Sequence, residues 1–428
     1  KAAISGEWRR RMAAKQSGTP ERPRFSLAAD SSSEEEALAM IDVILSNQLT
    51  MSTNVAAFET ALAAWLKVPY VCMVNSGSSA NLLATAALIN PERSVRLSQG
   101  DEVLVPAVCW STSVFPIMQL GLTPVFVDTD TRTMNIDLDH MERLITAKTK
   151  AVMMVHVLGN SCNMARMMDV VARYKLLVVE DTCESLGSTV HVAGEQKYLG
   201  TCGDFGTFSF YYSHHMTTGE GGAVCCHTVE DINLLRCLRA HGWSRHRFDR
   251  DKVDAQSPGI DARFHFVNTG FNVRPLEVQG AMGLVQLQKL AQFNQNRVEN
   301  VNTIRAAVLN HSRYTGQFVF FEPGEGTSPI WFGVALLLAQ QYAHQLDEFK
   351  AYLTAEGIEN RPIISGNMAR QTCLKLHGVQ IDPLQYTGAE AIQRRGLFFG
   401  SHQHLVGQDV IAFLADTLMG FPFTPSPA

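Results

Sequence analysis

Two adjacent histidines lie near the middle of the chain, within the segment Ser213-His214-His215-Met216-Thr217-Thr218-Gly219-Glu220-Gly221-Gly222. An imidazole has an ordinary pKa of about 6.5, so it can accept and return a proton near neutral pH. The segment follows the apolar run 207–210, which predicts a strand. The pair is therefore a candidate for proton transfer, although a histidine beside an apolar segment is usually structural.

A second candidate is the segment Asn75-Ser76-Gly77-Ser78-Ser79-Ala80-Asn81, which follows an apolar strand and begins a predicted helix. Free backbone amides, the helix dipole and the serine hydroxyls at such a position suit a phosphate group. By itself, however, the pattern is more typical of simple helix capping.

Acidic and aromatic side chains follow two further predicted strands. Glu180 and Asp181 close the apolar run that begins at Leu176, and a carboxylate there is unfavourable unless it has a partner. Trp110 follows the run 102–106, where an aromatic side chain can stack on a flat ring. Turn capping by the acids and core packing of Trp110 are the alternatives that the residues alone leave open.

Short apolar runs alternate with helical patterns through the first two thirds of the chain. The runs are 71–74, 102–106, 124–128, 151–157, 176–180, 207–210 and 223–226. This alternation predicts a three-layer α/β domain with a mostly parallel sheet. A long helical pattern over 275–302 leads to a smaller C-terminal domain. We predict a basic tail at residues 1–30, a large domain at 31–285 and a small domain at 286–428.

Taken in order, these motifs resemble the DegT/DnrJ/EryC1/StrS sugar aminotransferase family of pyridoxal-phosphate (PLP) enzymes, over roughly residues 33–404. That family usually has Thr-Lys-Asn where this chain has Ser213-His214-His215. The lysine holds PLP as a Schiff base, which an imidazole cannot form. The Ser-His-His sequence resembles the 3-dehydratase branch, which deoxygenates nucleotide-linked 4-keto-6-deoxysugars. The resemblance implies a fold type I, aspartate aminotransferase-like large domain and a smaller C-terminal α+β domain.

The resemblance also implies roles for single residues. His214 and Asp181 are the implied catalytic residues, with His214 as proton shuttle and Asp181 paired with the pyridine nitrogen. The residues implied to bind PLP or pyridoxamine phosphate (PMP) are Ser78, Ser79, Trp110, Asp181, Glu184, Ser209 and Asn272. Asn272 would reach the cofactor phosphate of a neighbouring subunit, which implies a homodimer with shared active sites. Arg361 and Asn367 are candidate contacts to sugar or diphosphate.

The predicted reaction removes the 3-hydroxyl group of a nucleotide-diphosphate 4-keto-6-deoxysugar, with L-glutamate as amino donor. One type of 3-dehydratase adds a [2Fe–2S] cluster and a reductase, but Cys225 and Cys226 are adjacent, and neighbouring side chains on a strand point to opposite faces. We therefore favour the cluster-free type. A scaffold without activity is the alternative from another functional class.

Charge, hydropathy and cysteine content bear on whether the chain binds nucleic acid, spans a membrane or holds a metal. The 428 residues carry a net charge of −5, which gives no reason to expect nucleic acid as a partner, and no apolar run reaches the roughly 18 residues of a membrane span. The nine cysteines form no CxxC pair, so we expect no metal site and reduced, mostly buried thiols in a cytoplasmic protein.

Overall fold

A seven-stranded sheet forms the centre of the larger domain in the computed structural model, which describes Gly6, Arg10 and residues 24–426. Its strand order is β1-β9-β8-β5-β4-β2-β3, with β9 antiparallel to its neighbours and the other strands parallel to one another. The strands are β1 (Tyr70–Val74), β2 (Glu102–Pro106), β3 (Thr123–Val127), β4 (Thr149–Val155), β5 (Leu177–Asp181), β8 (Phe205–Ser209) and β9 (Gly222–Cys226). The predicted mostly parallel sheet is confirmed.

Helices cover both faces of this sheet, because alternate side chains of each strand are apolar and bury in separate cores. The helices before and around the strands are α1 (Glu34–Ser46), α2 (Thr53–Leu66), α3 (Gly77–Leu88), α4 (Ser111–Gln119), α5 (Leu138–Leu144), α6 (Met164–Tyr174), α7 (Val229–Arg239) and α8 (Arg250–Ala255). One core lies against α3, α4 and α7, and two lie on the opposite face against α2, α5 and α6. The three-layer α/β prediction is therefore confirmed.

The C-terminal region forms a second, antiparallel sheet of order β10-β12-β14-β13. Its elements are β10 (Phe318–Phe320), β12 (Gly333–Leu338), α10 (Leu346–Ala355), β13 (Asn360–Arg361), α11 (Thr372–Leu376), α12 (Thr387–Arg395), β14 (Gly396–Gly400) and α13 (Gln408–Leu418). A separate three-stranded sheet contains β6 (Thr189–Val192), β7 (Glu195–Tyr198) and β11 (Thr327–Ser328). Because β11 belongs to the C-terminal region, its pairing with β6 connects that region to the large domain.

One long helix, α9 (Glu277–Leu309), connects the two regions. It packs against α1 and α2 at one end and against α13 at the other. The domain boundary that we placed after residue 285 therefore falls inside a continuous helix.

The segment that begins at residue 24 differs from the predicted tail. Phe25 is only 2% exposed, pairs with Ile358, and packs against Phe399 and His402 in the small domain. The prediction of a tail through residue 30 is therefore wrong for these residues, because an aromatic side chain buries in a core formed far along the chain. The rest of the basic segment, residues 1–23, lies outside the described residues except for Gly6 and Arg10.

All nine cysteines are free thiols, and six of them are buried. Among the described residues, no helix combines the length and apolar character that a bilayer crossing requires. Over the same residues, no group of three or more histidine, cysteine, aspartate and glutamate side chains is arranged to hold a metal ion.

Candidate active site

A cavity of about 480 Å³ opens at the edge of the central sheet where the parallel strands end. Its wall is formed by residues at or just beyond the carboxyl ends of β1, β2, β4, β5 and β8, together with two side chains from the small domain. Ligands of open α/β sheets bind at this edge because the loops that leave the strands converge there. The lining residues are Ser76, Gly77, Ser78, Trp110, Thr112, Val155, His156, Asp181, Cys183, Glu184, Ser209, Tyr211, Ser213, His214, Glu220, Phe332 and Ile364.

Asp181 lies at the base of the cavity and is 4% exposed. Its Oδ2 accepts hydrogen bonds from Asn81 Nδ2 and Ser113 Oγ, both at 2.7 Å, and its Oδ1 accepts one from the Cys183 amide at 3.2 Å. Asn81 is oriented in turn by Thr207, whose hydroxyl donates to Asn81 Oδ1 at 2.6 Å. Three donors converge on this one carboxylate and fix its orientation. The site therefore presents an oriented carboxylate to any group that enters.

The glycine- and serine-rich loop forms the opposite wall. Ser76 caps α3, and its hydroxyl accepts a hydrogen bond from the Ser79 amide at 3.1 Å. A Cβ atom on Gly77 would lie 2.5 Å from the Cβ of Ser209 and 3.0 Å from Cys183 Sγ, so only glycine lets the loop approach β8 this closely. The side chain of Ser78 is exposed toward the cavity. This helix start, with Ser209 beside it, has the features of an anion site.

Ser79 does not line the cavity, because its hydroxyl is turned toward Ser76 Oγ at 3.0 Å. Its predicted contact with a phosphate is not visible in this arrangement, whereas Ser78 and Ser209 do line the cavity.

The two histidines have different surroundings. His214 lines the cavity, and its buried Nδ1 has no hydrogen-bond partner among the described residues. His215 is fully buried, and its Nε2 lies 2.9 Å from the carbonyl oxygen of Ile330. Burial, and secondly the charge of Arg297, lower the pKa of His214 to about 3. His214 is therefore a neutral imidazole at the cavity wall, while His215 is structural.

Glu184 is a second titratable group in the wall. Burial raises its pKa to about 7, the hydrogen bond from the Leu158 amide at 3.0 Å opposes this, and the charge of Asp181 adds to it. Leu158 itself has a left-handed backbone, with φ of 49°, which is strained for a leucine. At neutral pH Glu184 can therefore either donate or accept a hydrogen bond.

A buried pair supports the cavity from below. His156 Nε2 lies 2.9 Å from Glu180 Oε2, and both side chains are inaccessible to solvent. Burial opposes ionisation of Glu180, but hydrogen bonds from His156 and from the amides of Gly200 and Gly203 lower its pKa overall. This network explains why two adjacent acids end β5: Glu180 points into the protein and Asp181 into the cavity.

Three predicted residues lie elsewhere. Asn272 is exposed, accepts a hydrogen bond from Arg274, and is absent from the wall of this cavity. Arg361 is also exposed, and its closest charged partner is Glu359 at 3.5 Å.

Asn367 is fully buried, and its amide group donates to Glu390 at 2.8 Å and to the Pro383 carbonyl at 3.1 Å. Its Oδ1 accepts a hydrogen bond from the Ala369 amide at 3.0 Å. The structure therefore gives Asn367 a role in shaping the loop, and the nearby residue that does line the cavity is Ile364.

Sequence reasoning missed the residues that orient Asp181 and enclose His214. Asn81 lies one helical turn beyond Gly77, so its spacing could have placed it on the same face of α3 as the loop. Ser113 and Phe332 gave no local signal, because they reach the site from α4 and from the small domain. The Phe332 ring packs edge-on against His214, with ring centres 5.2 Å apart.

Comparison with known proteins is consistent with this geometry. The model of the DegT/DnrJ/EryC1/StrS aminotransferase family matches residues 30–415. GDP-4-keto-6-deoxy-D-mannose 3-dehydratase of Yersinia pseudotuberculosis is 39% identical over 382 residues, covering 89% of this chain and 94% of the relative.

Solved structures of similar proteins share the fold of this chain. The Escherichia coli GDP-4-keto-6-deoxy-D-mannose-3-dehydratase with bound hydrated PLP superposes with a TM-score of 0.85 at 35% identity, covering 93% of this chain and all of the other. GDP-4-keto-6-deoxymannose-3-dehydratase with a trapped PLP-glutamate geminal diamine gives 0.85 at 34% identity, covering 92% and 100% of the two chains. This chain belongs to the DegT/DnrJ/EryC1/StrS aminotransferase family.

Proposed function

We propose that this protein is a PLP/PMP-dependent 3-dehydratase that removes the C-3 hydroxyl group of a nucleotide-linked 4-keto-6-deoxyhexose, with His214 in place of the Schiff-base lysine. One observation carries the proposal: His214 lines the cavity beside Asp181, whereas none of the described lysines does. An aminotransferase of this family needs an amine in that cavity to hold and release its cofactor.

The residues present fit a PLP-type cofactor. The close approach of Gly77 to Ser209 leaves the amides of the α3 start and two hydroxyl groups facing one pocket, as a phosphate requires. Asp181 would pair with the ring nitrogen and Trp110, which is 55% exposed at the cavity mouth, would stack on the ring. When bound there, PMP would supply an amine for the keto carbon and a ring that withdraws electrons from it.

The chain's own residues then supply proton transfer and enclosure. The neutral His214 imidazole takes up a proton and later returns it, while three donors hold the Asp181 carboxylate in a fixed orientation. The aromatic rings of Tyr211 and Phe332 lie edge-on to His214, at 5.9 and 5.2 Å between centres, and restrict the imidazole to a narrow slot. Elimination is favoured over amino transfer because His214 can move protons but cannot displace the product from the cofactor.

The substrate proposal comes from the relatives. A GDP-linked 4-keto-6-deoxymannose is the first candidate, because the similar dehydratases are named for it. L-glutamate is the proposed amino donor, since a related structure holds a PLP–glutamate adduct. A similar Salmonella typhimurium protein is a lipopolysaccharide biosynthesis protein, which supports a role in O-antigen deoxysugar synthesis. A cytoplasmic location, where the nine free thiols would stay reduced, is part of the same proposal.

Asn272 supports the proposal of a homodimer with shared sites. Its amide side chain is exposed and does not line the cavity of its own chain; it lines a separate pocket together with Arg245, His246 and Arg274. A second copy of the chain would bring this positively charged surface to the first copy's cavity. The arrangement would complete the phosphate site in trans.

The cluster-bearing type of dehydratase is disfavoured by the two adjacent cysteines. Cys225 belongs to the core on one face of the sheet and Cys226 to the core on the other face. Their thiols therefore cannot bind one cluster without rearrangement of β9.

Incubation with PLP, L-glutamate and a panel of nucleotide 4-keto-6-deoxysugars tests the proposed activity. Mass spectrometry should detect a product lighter than one of the sugars by a single oxygen atom, with ammonia and 2-oxoglutarate released, and His214→Asn should abolish its formation. His227→Asn, which changes an exposed histidine outside the cavity, is the matched control. His214→Lys should instead bind PLP covalently and lose dehydration. Unchanged dehydration by His214→Lys would contradict the assigned role of His214.

A further inference from the structure

Arg297 of helix α9 is buried behind His214. It is 1% exposed, and among the described residues no carboxylate forms an ion pair with it. Burial lowers its pKa to about 9, which still leaves the guanidinium protonated at neutral pH. A buried cation without an anionic partner is unfavourable unless other groups satisfy its donors.

The guanidinium bridges the two segments that enclose the His214 imidazole. Nη1 donates to the Phe332 carbonyl at 3.0 Å, and Nη2 reaches the His214 carbonyl at 3.5 Å. Gln403, also fully buried, donates to the same His214 carbonyl at 3.3 Å. Since the Phe332 ring packs edge-on against His214, Arg297 links the main chain of the histidine to the wall that orients its ring.

The positive charge of Arg297 also affects the protonation of His214. A nearby cation disfavours protonation of an imidazole, so Arg297 assists burial in keeping His214 neutral. The other titratable groups around the ring are His215, which is itself held neutral by burial, and the cavity residues His156, Asp181, Cys183, Glu184, Tyr211 and Glu220. The carboxylates among them lie on the cavity side, whereas Arg297 is the cation on the protein side.

We infer that Arg297 is a positioning residue for His214: by donating hydrogen bonds to the main-chain carbonyls of His214 and Phe332, it holds the imidazole in its slot against the Phe332 ring. The inference rests on the proposed role of His214 as proton shuttle. It assigns a function to a side chain that lies outside the cavity and that touches neither cofactor nor substrate.

The test compares Arg297→Met and Arg297→Lys with Arg305→Met. Arg305 is the matched control because it also lies on α9, is half-buried and donates to a backbone carbonyl, that of Phe321 at 2.8 Å, but does not contact His214. The first readout is the ring signal of His214 in the cofactor-free protein, measured by NMR with ¹³C-labelled histidine and assigned with His214→Asn. The second is the split between kcat and KM.

In the wild type, the His214 signal should stay at its neutral position down to the lowest pH at which the protein remains folded. In Arg297→Met the signal should move, and its protonation should begin at higher pH. Both Arg297 variants should lower kcat by roughly 10-fold to 100-fold with little change in KM, as expected when support of a catalytic group is lost. Arg297→Lys, which keeps the charge, should retain the wild-type pH response and lose only the fixed geometry.

Identical His214 signals in wild type and Arg297→Met would overturn the inference. A wild-type kcat in Arg297→Lys would also overturn the inference. This measurement decides the question if Arg297→Met does not fold. The NMR readout needs no substrate, so it is independent of the proposed reaction. If no sugar is dehydrated by the wild type, the proposed function fails while the His214 measurement still stands.

Discussion

Replacing Glu184 by glutamine should stabilise the cofactor-free protein at alkaline pH and leave it almost unchanged at acid pH. Burial raises the pKa of this carboxyl from its ordinary value of 4.5 to about 7; the Leu158 amide opposes the change and Asp181 adds to it. A raised pKa means that the folded state binds the proton more tightly than the unfolded state does. Ionised Glu184 therefore destabilises the fold, with an effect that begins above pH 4.5 and is complete above about pH 7.

The difference between the two pKa values corresponds to roughly 3 kcal/mol at pH 8 and to less than about 1 kcal/mol at pH 5. Since Glu184 is only partly shielded from solvent, these figures are upper limits. Glutamine keeps an oxygen for the Leu158 amide and removes the charge, so the variant isolates the electrostatic contribution.

Differential scanning calorimetry of the cofactor-free protein at pH 5 and pH 8 measures this effect. At pH 8 the unfolding temperature of Glu184→Gln should exceed that of the wild type by up to roughly 3–4 °C, and the gain should largely disappear at pH 5. Glu220→Gln, which changes an exposed acid in the same cavity wall, is the control. An equal gain at both pH values, or a loss at pH 8, would refute the raised pKa of Glu184.

Three further predictions concern the cofactor site, the dimer and the fold. Gly77→Ala should weaken PLP binding at least about tenfold, or about 1.4 kcal/mol, because the new Cβ would lie 2.5 Å from an atom of β8. An absorbance titration measures this, and the control Gly259→Ala, with open space around it, should have no effect. A mixture of Asn272→Asp and His214→Asn proteins should be more active than the sum of the two alone, since mixed dimers would contain one intact site; no gain would argue against sharing. Phe25→Ala should destabilise the protein by about 3–5 kcal/mol in a thermal or denaturant unfolding assay, because the ring is fully packed; an unchanged midpoint would contradict the docking of this segment.

Much of the fold could be predicted from local patterns in the sequence. Ser33 and Glu36 predict the start of α1, and the structure contains the reciprocal capping box that they form. The apolar runs predicted the strands of the large sheet to within about two residues, because a buried parallel strand needs continuous apolar side chains.

The site was predictable where chemistry depends on a residue's position at the end of a strand. Asp181 and Ser209 end β5 and β8, and Trp110 and His214 follow strands β2 and β8 closely, so the order of motifs places them at one edge of a parallel sheet. The sequence alone therefore determined the family, the set of polar groups at that edge, and the exchange of an amine for an imidazole at position 214.

Only the tertiary structure decided how those groups are held. Ser113 reaches Asp181 from 68 residues away in the chain, and Arg297 reaches the His214 carbonyl from 83 residues away. Such contacts have no local pattern, because they depend on how helices cross the sheet and on where the small domain docks. For the same reason the buried Asn367 could not be distinguished from a ligand contact, and Phe25 could not be distinguished from a tail. Sequence periodicity reports which face of an element is apolar, whereas the partner of that face is set by packing over the whole chain.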